Sequence, residues 1–260
     1  ADSRQIYRGM DIGTGKDLDE YHFNGQNIPY HLINIIDPTE NYSVYHFQKE
    51  FYLVKNNIKN NGKLPILCGG TGLYLDSILL DYKFENIDAN QNLREKLESK
   101  SKEYLIKYLK NLNKEFFEKW NIDTKRRIIR GIELAIKNGK PEIYSKPNKN
   151  LNSCTIGIRY PRDVIKKRIT SRLDYRLNNG MIEEVEMLIQ NGLPKTRLDY
   201  FGLEYKFVRK YLDGELVKEE LFELLNIAIH QFAKRQSSWF RRMEKRGVKI
   251  YWIDEGNVEK

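Results

Sequence analysis

Apolar and polar positions along this chain follow two alternating periods. Short runs rich in β-branched residues recur at 31–36, 65–68, 154–158 and 248–253. Each is bounded by turn-forming residues, as short buried strands are. Between them the spacing lengthens to that of helices. Ser43 suits the N-cap of a helix carrying Val44, Phe47, Phe51, Val54 and Ile58 on one face and stopping at Gly62. A second apolar helix is predicted over 73–80. A long one over 218–246 puts Leu221, Leu224, Leu225, Ala228, Ile229 and Phe232 in its core stripe. Strands alternating with helices predict a parallel α/β core.

From about residue 85 the strand period disappears and Lys, Glu, Asn and Leu dominate, with helical stretches at 93–112 and 126–137 and a loop over 138–152. Strand character returns at Cys154. The pattern therefore predicts an α/β core made of 1–84 and 153–260, interrupted by a helical insertion at 85–152. No run is apolar enough to span a bilayer, and no internal repeat is visible. Ala1-Asp2-Ser3-Arg4 reads as the end of a strand entering a loop, so a segment upstream of Ala1 is expected.

Composition narrows the partners. The 260 residues suffice for one large domain with an insertion. A net charge of +9 and a pI near 9.2 favour a polyanionic partner, or else a merely solvated basic surface. Cys68 and Cys154 have neither disulfide nor metal spacing and read as reduced core thiols. His22, His31, His46 and His230 show no metal spacing and read as structural.

Four stretches carry candidate chemistry. Gly69-Gly70-Thr71-Gly72 joins a predicted strand to a predicted helix. Such a turn exposes backbone N–H groups to an anion, and the Thr71 hydroxyl can donate to an oxygen. It is equally a tight turn with Thr71 as N-cap. Asp2 falls at another strand end, where a carboxylate can take a proton or simply cap a turn. Gly13-Thr14-Gly15-Lys16 is not a phosphate loop: Met10 stands where the first glycine is required, and Asp17 where Ser or Thr is. The end of the long helix is strongly basic. Lys234, Ser238, Arg241 and Lys245 share one face, and Arg235, Trp239, Arg242 and Arg246 share the next, with Glu244 as the only acid in the run. Lys125-Arg126-Arg127-Ile128-Ile129-Arg130 repeats the theme in the insertion, and Arg94 can join it.

In order and wording these motifs resemble the tRNA dimethylallyltransferases (tRNA isopentenyltransferases). The resemblance runs through 2–16, 31–38, 42–44, Gly69-Gly70-Thr71-Gly72-Leu73-Tyr74 and Ala233-Lys234-Arg235-Gln236 to Trp239 and Arg241. It is looser in the insertion, where Arg94 and Arg127–Arg130 match. It implies a P-loop NTPase-like parallel-sheet core, with the phosphate loop a few tens of residues upstream of Ala1, and an insertion that grips the anticodon stem-loop. It also implies dimethylallyl diphosphate as donor, Mg²⁺, and attack by the amine of the adenine beside the anticodon, in a monomeric cytoplasmic enzyme with no membrane partner. By the same resemblance Asp2 is the general base, Thr71 contacts the donor's bridging oxygen and Arg235 serves the diphosphate together with Gly69 and Gly70. Residues implied to face tRNA are Asp2, Ser3, Arg4, Gln5, Arg94, Arg126, Arg127, Arg130, Lys234, Arg235, Gln236, Trp239 and Arg241. The Phe201-Gly202-Leu203-Glu204-Tyr205-Lys206 stretch departs from the family's commoner Gly-Tyr-Lys, and no contact is assigned to it.

Two other readings stay in play. A transferase acting on free adenine nucleotides would need no basic insertion. A non-catalytic RNA-binding module would leave Asp2 and the glycine turn without a purpose.

Overall fold

The computed structural model describes residues 1–84, 87, 89–141 and 147–255. They divide into two compact units, Ala1–Asp76 with Lys149–Lys260, and Ser77–Asn148. The divisions thus fall at 76/77 and 148/149, whereas the sequence pattern had suggested 84/85 and 152/153. Of the loop predicted over 138–152, residues 142–146 lie outside the described residues, as do 85 and 86 at the expected start of the insertion.

The first unit is mixed α/β. After a 3₁₀ turn at Leu18–Tyr21, strands β1 (His22–Phe23) and β2 (Gln26–Asn27) make a short antiparallel hairpin. Helix α1 (Val44–Asn60) starts and stops as predicted. Ser43 accepts from the His46 N–H while the His46 ring closes the reciprocal bond to the cap, and Gly62 leaves the helix at φ +68°. Phe47 is buried and stacks on Tyr74, with ring centroids 4.2 Å apart. Tyr74 belongs to α2 (Gly72–Leu79), so α1 fixes the helix that begins at the glycine turn.

Two of the four predicted strands pair. β3 (Thr155–Arg159) and β4 (Ile250–Asp254) lie parallel and in register, Gly157 opposite Trp252 and Arg159 opposite Asp254. The other two runs do not become strands. Residues 31–36 bond to 5–8 through Asn34, Ile35 and Ile36, but the only bridge is Tyr7 to Ile36. Left-handed Leu32 and Asn34, at φ +61° and +55°, interrupt the extended conformation a ladder requires. Residues 65–68 join no described strand, and Leu64 and Ile66 are each 83% exposed. Cys68 and Cys154, expected in the core, are exposed for the same reason: the runs they flank are not enclosed.

Helices α7 (Arg162–Asn178), α8 (Met181–Gln190), α9 (Lys195–Leu198), α10 (Leu203–Leu212) and α11 (Lys218–Lys245) complete the unit. On α11 the buried stripe runs through Leu221, Leu225 and Met243. Leu224 and Phe232, predicted to be core, lie on the neighbouring face and are 42% and 51% exposed.

The second unit is helical, with α3 (Gln91–Glu98), α4 (Lys102–Leu112), α5 (Lys114–Lys119) and α6 (Lys125–Ile136). The stretch predicted as one helix over 93–112 breaks at Ser99-Lys100-Ser101, because Ser101 caps a new helix by accepting from Tyr104 N–H. Asn90, Asn113 and Thr124 cap the other three in the same way. Each such cap is worth roughly 1 kcal/mol. Leu97, Leu105, Leu109, Phe116, Ile128, Ile129 and Ile132 form its core.

No helix among the described residues is long and apolar enough to cross a membrane.

Candidate active site and nucleic-acid interface

The two predicted loop ends of the first unit meet. Ser3 N–H donates to Thr71 Oγ1 at 3.1 Å, Thr71 N–H donates to the Ala1 carbonyl at 3.1 Å, and the Thr71 hydroxyl lies 3.5 Å from Ser3 Oγ. Asp2 therefore stands beside the glycine turn. Its Oδ1 accepts from Arg4 N–H at 2.7 Å and Gln5 N–H at 3.2 Å, which closes an Asx turn. Its Oδ2 accepts no hydrogen bond among the described residues. The turn-capping and proton-accepting readings of Asp2 are compatible, one oxygen serving each.

Helix α11 closes over the turn. Gln236 Nε2 donates to the Gly70 carbonyl at 2.9 Å. A Cβ at Gly72 would run into the Trp239 ring, so glycine is required there by close approach, whereas one at Gly70 would displace only the Gln236 amide that holds its carbonyl. Trp239 donates from Nε1 to Asp76 Oδ2 at 2.9 Å, and the Arg242 guanidinium covers its ring at 3.9 Å. Arg246 also reaches Asp76 Oδ2, at 3.3 Å. The basic run is thus divided. Arg242 and Arg246 turn inward on the fully buried Asp76, whereas Lys234, Arg235, Arg241 and Lys245 are exposed. Arg235 lies 5.8 Å over Phe232, Arg241 donates to Ser238 Oγ at 2.9 Å, and Glu244 accepts from Trp252 Nε1 at 2.8 Å. The run's only acid in sequence therefore points to β4 and leaves these cations unopposed; the acid that does face the run, Asp76, comes from another helix.

The loop that carries Asp2 is anchored by groups that sequence reasoning passed over. Gln5 Nε2 donates to the Gly15 carbonyl at 2.9 Å, and Arg4 lies 5.0 Å over Tyr200. The rejected phosphate-loop stretch does bind an anion, an internal one. Asp11, Ile12 and Gly13 N–H groups converge on the Glu184 carboxylate at 2.7, 2.6 and 3.0 Å, and Tyr205 Oη adds a fourth donor at 2.7 Å. Lys16 is buried on the Tyr7 carbonyl, Asp11 and Asn34, and desolvation pushes its ammonium down. Burial raises the Glu204 carboxyl, with the Asp2 charge adding to the rise and Arg176 opposing it.

In the insertion unit the predicted arginines divide differently. Arg94 makes a two-pronged bond to Glu133, 2.8 Å on each arm, and Arg130 reaches the same carboxylate at 3.2 Å and the Ile87 carbonyl at 2.9 Å. The Glu133 side chain is only 2% exposed. Burial alone would raise its carboxyl, but the bonds from Arg94, Asn90 N–H and Arg130 prevail and hold it below the ordinary glutamate range. Arg94 and Arg130 are therefore not free surface cations; they organise the unit's interior. Arg127 pairs with Asp123 at 3.1 Å in an exposed i,i+4 contact. Arg126 is exposed and lines, with Arg94, Glu98 and Ile129, a cavity of about 60 Å³, room for water but not for a base.

An acidic loop end locked to a glycine turn lies beneath a face of unopposed cations in a mixed α/β unit. The profile of the IPP transferase family matches residues 5–243, and the chain belongs to that family. It is 47% identical over 254 residues to tRNA dimethylallyltransferase 2 of Bacteroides fragilis, covering 98% of this chain and 83% of that protein. It is 47% identical over 256 residues to tRNA dimethylallyltransferase 1 of Parabacteroides distasonis, covering 98% and 82%. Among solved structures, the full-length tRNA isopentenylpyrophosphate transferase of Bacillus halodurans superposes with a TM-score of 0.67 at 32% identity, over 97% of this chain and 79% of that one. A eukaryotic dimethylallyltransferase acting on tRNA shares the fold, with a TM-score of 0.76 at 21% identity, over 100% of this chain and 67% of that one.

Proposed function

We propose that this protein transfers a dimethylallyl group from dimethylallyl diphosphate to the N6 amine of the adenine adjacent to the anticodon of tRNA, releasing diphosphate. The observation that carries the reading is Asp2–Ser3 bonded to Thr71 within the glycine turn, under the exposed cations of α11. An adenine amine is a weak nucleophile because its lone pair is delocalised into the ring. Asp2 takes a proton from it, through the oxygen that its own turn leaves open, as the C–N bond forms. Such assistance is worth ~10²–10⁴-fold. As the C–O bond of the donor breaks, charge grows on the diphosphate, where the Gly69 and Gly70 backbone, the Thr71 hydroxyl and Arg235 stabilise it.

On this reading the RNA lies along Asp2, Ser3, Arg4, Gln5, Lys234, Arg235, Gln236, Trp239 and Arg241. In the insertion, Arg126 and Arg127 are the arginines exposed enough to meet phosphates directly, and Arg94 and Arg130 contribute by holding the unit together. The reading includes a P-loop NTPase-like core and a monomer acting in the cytoplasm. Mg²⁺ belongs to it as a companion of the donor's phosphates. No group of three or more His, Cys, Asp or Glu among the described residues forms a protein cage for a metal, so the ion would be held chiefly through phosphate oxygens, and no step above runs through it.

The test is mass spectrometry of an anticodon stem-loop incubated with the intact protein and dimethylallyl diphosphate. One added dimethylallyl group, localised on the adenine beside the anticodon, is expected. Addition elsewhere, or none, would overturn the assignment.

A further inference from the structure

Asp76 is fully buried, yet one neutral N–H donor and two guanidiniums converge on its Oδ2: Trp239 Nε1 donates at 2.9 Å, Arg246 Nη1 donates at 3.3 Å and Arg242 Nη2 forms an ion pair at 4.0 Å. Trp239 and Arg242 belong to α11 and Arg246 is its C-cap, at positions that share one stripe. A buried ion cluster of this kind is weak as a stabiliser, because desolvation offsets its attraction; its better-attested use is to specify one arrangement among several. What is specified here is the position of the Trp239 ring, which fills the space over Gly72. One turn earlier, Gln236 holds the Gly70 carbonyl. Thr71 lies between these two clamped residues, and Asp76 lies on the helix that Thr71 begins.

We infer that Asp76 is a positioning residue for the reaction: by gripping Trp239 and the inner arginines of α11 it fixes the glycine turn, and with it Thr71, against the basic helix. The same carboxylate offsets one of the two positive charges of Arg242 and Arg246 and turns both guanidiniums inward, so the outer cations are the ones presented to phosphate. The inference rests on the reading of the turn as the donor's diphosphate site. It makes Asp76 a determinant of donor alignment and not of RNA affinity.

The experiment compares Asp76→Ala, Asp76→Asn and Trp239→Phe in the intact protein, with steady-state kinetics for each substrate. A misplaced reacting group costs up to ~10²-fold. Asp76→Ala is therefore expected to raise KM for dimethylallyl diphosphate and lower kcat, by about 10-fold or more together, with KM for the stem-loop within about 2-fold. Asp76→Asn retains an acceptor for Trp239 Nε1 and should recover part of the loss. Trp239→Phe removes the same hydrogen bond without leaving unpaired arginines, so it carries the test if Asp76→Ala fails to fold. The double variant Asp76→Ala with Trp239→Phe should lose less than the sum of the singles. Unchanged donor kinetics in both Asp76→Asn and Trp239→Phe, or equal losses for both substrates in Asp76→Asn, would overturn the inference while leaving the proposed reaction standing. Absence of transfer by the native protein would overturn both.

Discussion

Two basic helices, written almost alike in the sequence, serve different ends in the two units. In α11 the cations are sorted by face: Arg242 and Arg246 turn in to Asp76, and Lys234, Arg235 and Arg241 stay in solvent. Around α6, Arg94 and Arg130 are drawn to Glu133, and Arg127 has its own exposed partner in Asp123. A run of Arg and Lys therefore does not by itself mark a phosphate-binding face. What decides is whether a buried carboxylate lies within reach, because leaving such a group unpaired costs several kcal/mol, whereas a surface pair gains little.

That contrast can be broken or sharpened experimentally. The largest expected effect is catalytic and confined to the first unit. Asp2→Ala should lower kcat at least ~100-fold with stem-loop affinity nearly unchanged, and unchanged turnover in single-turnover assays would remove Asp2 from the base role. Next comes the interior of the insertion. Glu133→Ala strands two arginines, a loss near the low end of about 3–5 kcal/mol because both guanidiniums retain some water contact. Hydrogen exchange across α3 and α6 should report it, with protection of the first unit preserved.

A third effect separates the cations by salt. Replacing Lys234, Arg235 and Arg241 with Ala should flatten the dependence of log affinity on log salt by about 2, at roughly 0.7 per lost phosphate contact. Replacing Arg126 and Arg127 should flatten it by about 1.4 on the same scale. Arg94→Lys, by contrast, should change stability and leave the slope alone. Equal slopes for all these variants would dissolve the distinction between the two helices.

Acidification gives a smaller effect of fixed sign. The Glu133 carboxyl lies lower in the folded protein than in the unfolded chain, so its stabilisation is full above the unfolded glutamate value and is lost as pH falls through the folded one. Insertion stability should decline below roughly pH 4, and less steeply in Glu133→Gln. The smallest expected change is Ser101→Ala, which should cost about 1 kcal/mol by releasing the α4 cap.

Legibility in the sequence followed locality. Helix α1 could be read from end to end because its cap, face and stop are all within the segment. Both parallel strands that pair were visible, as was the meeting of Asp2 with the glycine turn. The runs at 31–36 and 65–68 looked equally strand-like, but pairing depends on a distant partner and on the left-handed Leu32 and Asn34. The missed residues are mostly carboxylates. Asp76, Glu133 and Glu184 resemble surface acids when taken singly. Two of them left a trace: Asp76 is the lone charge in an apolar helix, and Glu133 stands four residues after Ile129, on the face of α6 that is otherwise buried. The sorting of α11 left none, since Glu244 is adjacent in sequence but bonded elsewhere.

The most direct measurement of the central claim is the ratio of kcat/KM for an anticodon stem-loop to that for free AMP, with dimethylallyl diphosphate as donor in both. On the proposed reading the exposed cations of α11 meet the RNA around the adenine, and specificity comes from that RNA. The account predicts that the stem-loop is favoured by at least ~10³-fold and that the preference shrinks as salt rises. Equal or better turnover of AMP would contradict it.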